Sequence, residues 1–541
     1  MSLETVENVN GSSKNIRKRS TWKDTEENYE EYLNKTMPED HHRGDIASTA
    51  RLLSYSDTVM ATCATFLVLP IRNLKKNSGN QSLSEFFNSS YLQFIEFLFG
   101  FLIILTVWEN MNIRAIVIKR VDDLILALII FEMLVTSTLP FTVELQGHYP
   151  NEKISVLSTC IVLTILQIID IVIILYGTFS PKLLHLELKC WTKSDLRELA
   201  SIMLFKPLIS LILLAIAAAF CLVHYGVSWA VIALLILMPT IRKFYWFVCR
   251  KYKNNDATEK GFFLENFSKG NVPKERVENM SDNAIAIMAC ILVADITVDE
   301  FPKKFSVEKD GLNYNLKVMT PEFLTFLASF CLVSALWYVN HSVLHLIKNV
   351  NSVMLYFQKV FLMFCCLCPL AGNTVLHFAT KGNKDSVVAI RFSATVVFIS
   401  SIANFFIFLC GVFTGTKYFY DWASLKHFQK NKRQHYYAVA KAVNLPFWSL
   451  ICILGSLGSA SAAPYVLYVS FLAAPCSFFV SKLVLMNHFG KAAAYIRNTI
   501  RRKVSFPNKR KEDDSIATKK ISESLETIYP DSYVIKNENM N

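Results

Sequence analysis

Between residues 50 and 487 the chain is a succession of long apolar runs separated by shorter polar stretches. A helix rises about 1.5 Å per residue, so a run of about 20 residues crosses the roughly 30 Å hydrocarbon core of a bilayer. The pattern predicts spans near 50–71, 90–111, 121–142, 154–177, 199–222 and 226–247, then 276–297, 321–346, 351–378, 387–414, 436–459 and 464–487. The expected fold class is an all-α polytopic membrane protein. Residues 1–48 lack apolar periodicity and read as a disordered tail. A charged linker covers 248–275 and a basic, then polar, tail covers 488–541, leaving helical blocks at 49–247 and 276–487.

The first span is written twice. RLLSYSDTVMATCATFLVLPI (51–71) and RVENMSDNAIAIMACILVADI (276–296) align without a gap. Arg51 matches Arg276, Ser56 matches Ser281 and Asp57 matches Asp282, followed by matched apolar positions. One Arg-x5-Asp carries no information, but the same one twice, each time opening a membrane-length run, marks an internal duplication. The duplication continues: Trp108 and Trp337, Asn112 and His341, and Pro140 and Pro369 are each 229 residues apart. Pro207 with Pro446 and Pro239 with Pro475 keep the same order. The spans divide as six plus six. An even number per block gives both blocks one orientation, so they are expected to be parallel repeats of six transmembrane helices.

Composition agrees: 52% of the 541 residues are hydrophobic and only 18% are charged, against about 25% in soluble domains. The net charge of +12 lies mainly in loops and tails. It is read as the positive-inside rule, not as a nucleic-acid surface, and membrane lipid is the expected surrounding. With both termini cytosolic, the inner loops collect Arg114, Lys119, Arg120, Lys182, Lys189, Lys193 and Arg197, and the outer loops hold fewer cations. Asn80 (NQS) and Asn88 (NSS) then face the lumen as candidate glycosylation acceptors. The cysteines sit mostly inside apolar runs and read as small core residues.

A charge inside a membrane needs a partner or water. Six residues along a helix is about 9 Å, so Arg51 does not reach Asp57, nor Arg276 Asp282; each looks to another helix or another subunit. Ser56, Trp108 and Asn112 in one block, and Ser281, Trp337 and His341 in the other, are the candidate polar network clamping the first span to the second. Beyond each Asp, Thr62, Thr65, Phe66 and Leu69, and in the second copy Ile287, Cys290, Ile291 and Ala294, fall at helical spacing. That stripe is either a narrow, mostly apolar pore lining, of the kind that gates by dewetting, or a packing face. Glu109, Glu132 and Asp170 are intramembrane carboxylates, candidates for a proton pathway or for local ion pairs. No Walker loop, GxSxG, HExxH or TVGYG-type filter is present, and no cofactor or metal is expected.

The repeated Arg-x3-[aromatic/apolar]-Ser-Asp, the KERVENMSD that opens the second block, the LW…H of span eight and the matched prolines resemble the lysosomal potassium channel family, transmembrane protein 175. The resemblance covers residues 49–487. It implies a homodimer with a pore lined by the first helix of each repeat. It also implies passage of potassium, and of protons, across endosomal and lysosomal membranes. It places the constriction at the fifth residue after Asp, which is Thr62 in one half and Ile287 in the other. A proton-coupled secondary transporter and a non-conducting membrane scaffold are the alternatives. Regulatory partners are not legible in the sequence.

Overall fold

The computed structural model describes residues 47–72, 82–180, 182–185, 188, 191–221, 224–252, 272–299, 301–379, 383–415, 418–424, 432–458 and 460–486. The predicted tails, most of the linker and Asn80 lie outside these. Contacts divide the chain into residues 1–478 and 479–541, and of the second unit only the last turns of one helix, to Met486, are described.

In chain order the principal helices are α1 (Thr49–Phe66), α2 (Leu83–Ser89), α3 (Tyr91–Val117), α4 (Asp123–Ser137), α5 (Leu139–His148), α6 (Lys153–Phe179), α7 (Lys193–Cys221) and α8 (Tyr225–Tyr252). They continue as α9 (Lys274–Ala294), α10 (Thr320–His345), α11 (Ser352–Cys365), α12 (Cys368–Phe378), α13 (Lys384–Thr414), α14 (Lys432–Gly455) and α15 (Ala463–Met486). Among the described residues, eleven helical segments are long and apolar enough to cross a membrane, two of them bent pairs, α4–α5 and α11–α12. The predicted sixth span is the helix α8, whose described apolar stretch, Gly226–Met238, is shorter.

Helix ends follow local chemistry. Asp122 caps α4 by accepting from the Ile125 N–H at 3.0 Å, and Asn351 caps α11 by accepting from Met354 at 2.8 Å. Pro140 and Pro369 each sit in the first turn of the second helix of a bent pair, where a missing N–H costs little. Pro207 and Pro446 lie inside α7 and α14.

The duplication is visible in backbone hydrogen bonds. Lys119 and Arg120 donate to Leu183 O, and His185 donates back to Val117 O. In the second block Lys348 and Asn349 donate to Tyr418 O, and Tyr420 donates back to Leu346 O. A two-residue ladder, Ala47–Ser48 on Arg120–Val121, has its counterpart in a bridge between Val272 and Val350. Ala47 and Ser48, read as tail, thus belong to the ordered block.

One boundary moved. The second span was expected to end near residue 111, and Arg114 was counted among loop cations. Helix α3 instead runs on to Val117 with Arg114 buried inside it. Its guanidinium pairs with Glu132 of α4 at 2.6 Å and Asp170 of α6 at 2.5 Å. A hydropathy pattern ends a span at its first charge; a charge paired inside the bundle does not end a helix.

Candidate functional site

Helices α1 and α9, the two copies of the repeated stretch, lie side by side and carry the site. The clamp predicted inside each half is present twice. Trp108 Nε1 on α3 donates to Asp57 Oδ1 at 2.7 Å, and Trp337 Nε1 on α10 donates to Asp282 Oδ1 at 2.7 Å. Indole N–H and carboxylate make a charge-assisted bond that fixes the first helix of each half to the next.

The two clamps differ in what else they hold. Asp57 is fully buried and meets Arg276 of the other half in a bidentate ion pair, Nη1 to Oδ2 and Nη2 to Oδ1, each at 2.6 Å. Arg276 Nε donates to Asn112 Oδ1 at 2.7 Å, and Asn112 Nδ2 donates to Trp108 O at 2.9 Å. Two of the guanidinium N–H groups therefore have hydrogen-bond acceptors and Nη1 lies in ion-pair contact with Asp57 Oδ2, which is what lets an arginine stay inside a membrane. Arg51 and Asp282, the matching residues of the opposite halves, are exposed. His341, the counterpart of Asn112, is also exposed and stacks on Trp337 with centroids 5.4 Å apart.

The same split runs along both helices. On α1 and the turn that follows it, Asp57, Ala61, Thr65 and Val68 are buried, whereas the equivalent residues of α9, Asp282, Ala286, Cys290 and Val293, are exposed. Conversely Arg276, Met280 and Ile291 of α9 are buried, whereas their equivalents Arg51, Tyr55 and Phe66 of α1 are exposed. The pair thus has one closed seam and two uncovered edges, and each edge carries the half of the seam that the other lacks.

The remaining predicted residues fall as follows. Ser56 donates to Leu52 O at 2.9 Å within α1. Ser281 donates to Val277 O at 2.8 Å and accepts from Gln358 Nε2 at 2.6 Å. Thr62, Leu69, Ile287 and Ala294 are half-buried, Phe66 and Cys290 are exposed, and Thr65 and Ile291 are buried. The eight stripe residues do not share one surface. Both threonine hydroxyls are turned into their own helix, Thr62 donating to Thr58 O at 2.8 Å and Thr65 to Ala61 O at 3.0 Å. Asn88 is exposed on α2.

Spacing did not point to a second buried ion pair at the closed seam, between Lys359 Nζ of α11 and Glu109 Oε2 of α3 at 2.7 Å. Glu109 was singled out as an intramembrane carboxylate. Its partner lies 250 residues away in sequence, beyond any local pattern.

The profile of the family described as "Endosomal/lysosomal potassium channel TMEM175" matches residues 51–140 and again 276–369. Each match begins at the arginine of a repeated stretch and ends at the proline of a bent pair. Similarity to curated relatives runs through most of the chain. The "Endosomal/lysosomal proton channel TMEM175" of Danio rerio is 25% identical over 81% of this chain and 84% of its own length. The protein of the same name from Homo sapiens is 25% identical over 84% of this chain and 88% of its own length. The chain is similar to the TMEM175 family at both copies of its repeated stretch. That family is one of ion channels and not of enzymes. "Potassium channel Cha6605_3372" of Chamaesiphon minutus is 31% identical over 23% of this chain and 61% of its own length.

Proposed function

We propose that this chain forms a cation channel that passes potassium, and protons, across endosomal and lysosomal membranes. Its pore is lined by α1 and α9 of two copies. The observation that carries this reading is the pair of complementary uncovered edges. Inside one chain, Asp57 and Trp108 of the first half receive Arg276 of the second. Asp282 and Trp337 of the second half have no such arginine, and Arg51 of the first half has no such carboxylate. A second copy related by a two-fold axis supplies both at once, so four first helices close into a ring. Each chain then contributes two parallel six-helix repeats, with both termini in the cytosol.

At the level of the constriction the ring carries two Ile287 and two Thr62. Isoleucine presents a dry collar that an ion crosses only by shedding water, and threonine lowers that barrier. The relatives' names, potassium channel in one case and proton channel in others, support the permeant ions. Patch-clamp recording with potassium on one side and sodium on the other tests the reading. A potassium-selective current is expected. Ile287→Asn should erode its selectivity and Thr62→Ile should lower basal conductance. A chain silent under all ionic conditions, or a current untouched by both substitutions, would refute it.

A further inference from the structure

Across α6, away from the α1–α9 seam, runs a line of buried polar residues: Ser155, Thr159, Gln167, Asp170 and Thr178, all on one helix face. From Ser155 to Thr178 is about 34 Å of helix axis, the thickness of the hydrocarbon core. Neighbouring helices extend the line at every level. At one end Thr159 donates to Gln146 Oε1 of α5 at 3.3 Å, and Glu96 of α3 is packed against Gly147, the next residue, where any side chain would run into its carboxylate. In the middle a cavity of about 20 Å³ is bordered on its polar side by Gln167, Thr106, Asn110, Ser210 and Lys206 and otherwise by aliphatic side chains, and Lys206 Nζ donates to Asn110 Oδ1. Further along, Asp170 and Glu132 share the single guanidinium of Arg114.

Two observations mark this line as more than packing. Glu96 Oε1, Gln146 Nε2, Ser155 Oγ, Gln167 Oε1 and Thr178 Oγ1 are all buried without a hydrogen-bond partner. Apart from Asp57 Oδ2, held by Arg276, they are all the atoms of that kind among the described residues of 47–252. Buried polar groups of this sort are satisfied by ordered water, and a cavity of about 10–15 Å³ admits one molecule. Moreover, the second half repeats the line only in part: Asn404 Nδ2 of α13 is also buried without a hydrogen-bond partner, but most of the other positions are replaced. Thr325 stands for Glu96, Val339 for Asn110, Val343 for Arg114, Phe361 for Glu132 and Leu445 for Lys206. Serines on α13 close on backbone instead: Ser386 on Ala379 O, Ser400 on Val397 O and Ser401 on Phe398 O.

We propose that the first half of each chain holds a column of internal water, separate from the axial pore, that carries protons across the membrane. The proposal rests on the reading of this chain as a proton-permeable channel and assigns the protons their own route. Each hop breaks an O–H bond on the donor and forms one on the next water or carboxylate. One proton enters at the Glu96 end for each that leaves beyond Asp170, and no redox partner is needed. Potassium cannot use the column, because a single-water cavity has no room for its hydration shell. Lys206 places the electrostatic barrier at the midpoint, since a fixed cation repels a passing proton.

The test is reconstitution of the full chain in liposomes, with proton and potassium fluxes read by separate dyes. Glu96→Gln and Gln167→Leu are expected to cut the proton flux by about an order of magnitude while potassium flux stays at the wild-type level. Lys206→Met should raise proton flux several-fold. Potassium flux doubles as the folding control: should Glu96→Gln lose both, Gln167→Leu, which touches no ion pair, decides. Proton flux unaltered by Gln167→Leu and Lys206→Met overturns the column. So does proton flux that changes only together with potassium flux, in Ile287→Asn, because protons then share the axial pore. A wild-type chain that passes potassium but no protons would instead sink the broader claim of proton permeability.

Discussion

Asp57 tolerates complete burial in a membrane-spanning helix because its charge is met on both oxygens. Arg276 donates a hydrogen bond to one oxygen and lies in ion-pair contact with the other, and Trp108 donates a second hydrogen bond. Removing one partner of such a pair leaves the other charge stranded, at a cost of about 3–5 kcal/mol. Arg276→Met should therefore strongly lower the melting temperature of the purified chain. Arg51→Met, the same substitution at the repeat-related but exposed residue, should leave the isolated monomer's melting unchanged. Equal losses from both would mean that the two arginines are equally engaged. The sequence identified all the residues of this network as chemistry-bearing. It did not say that Arg276 reaches across to Asp57, because helical rise excludes the pairing within a copy without choosing among the other helices.

At the scale of elements, each half closes in the same way: a bent fourth-span connection returns over the end of the second span. Gly177 of α6 lies under Ile118, and Gly411 of α13 lies under Phe419. A side chain at either glycine would strike its neighbour, the Phe419 ring in the second case. Gly411→Val should destabilise by about 1–3 kcal/mol, the usual cost of overpacking. Thermal unfolding in detergent measures it, and a variant as stable as the parent would mean that the loop simply moves aside. The bent third spans were half legible. Pro140 and Pro369 were noticed as a repeat, yet the predicted third span stopped at 142, where the helix pair continues to His148. Proline weakens a local pattern, whereas packing of α5 against α3 and α6 carries the span on.

For the whole molecule, the two seams are chemically unlike. The closed one, within a chain, holds two buried ion pairs, Asp57–Arg276 and Lys359–Glu109. At the open one, repeat equivalence puts Tyr338 where Glu109 stands and Ile130 where Lys359 stands, both exposed. The contact between copies is thus expected to be more apolar and more readily parted than the contact between halves. Reversing the charges, Arg51→Asp with Asp282→Arg in one chain, should restore the dimer that either single change weakens. Failure of the double variant to recover dimer in size-exclusion chromatography would argue against this seam.

By itself the sequence determined the helical, membrane-spanning character and the duplication, and it marked Asp57, Trp108, Asn112 and Arg276 as polar groups in need of partners. All of these follow from local quantities: the length of apolar runs, the pairing of equal spacings and the cost of a charge in hydrocarbon. Only the tertiary structure decided which arginine meets which carboxylate, that Thr65 and Ile291 are covered while Cys290 is not, and that Glu96, Gln146, Ser155, Gln167 and Thr178 of the first half each bury an unpartnered polar atom. Those are relations between helices hundreds of residues apart in sequence. Two copies of one motif with the same residues end in different environments because the chain brings each copy's opposite face against the other, so covering one edge necessarily leaves its equivalent open.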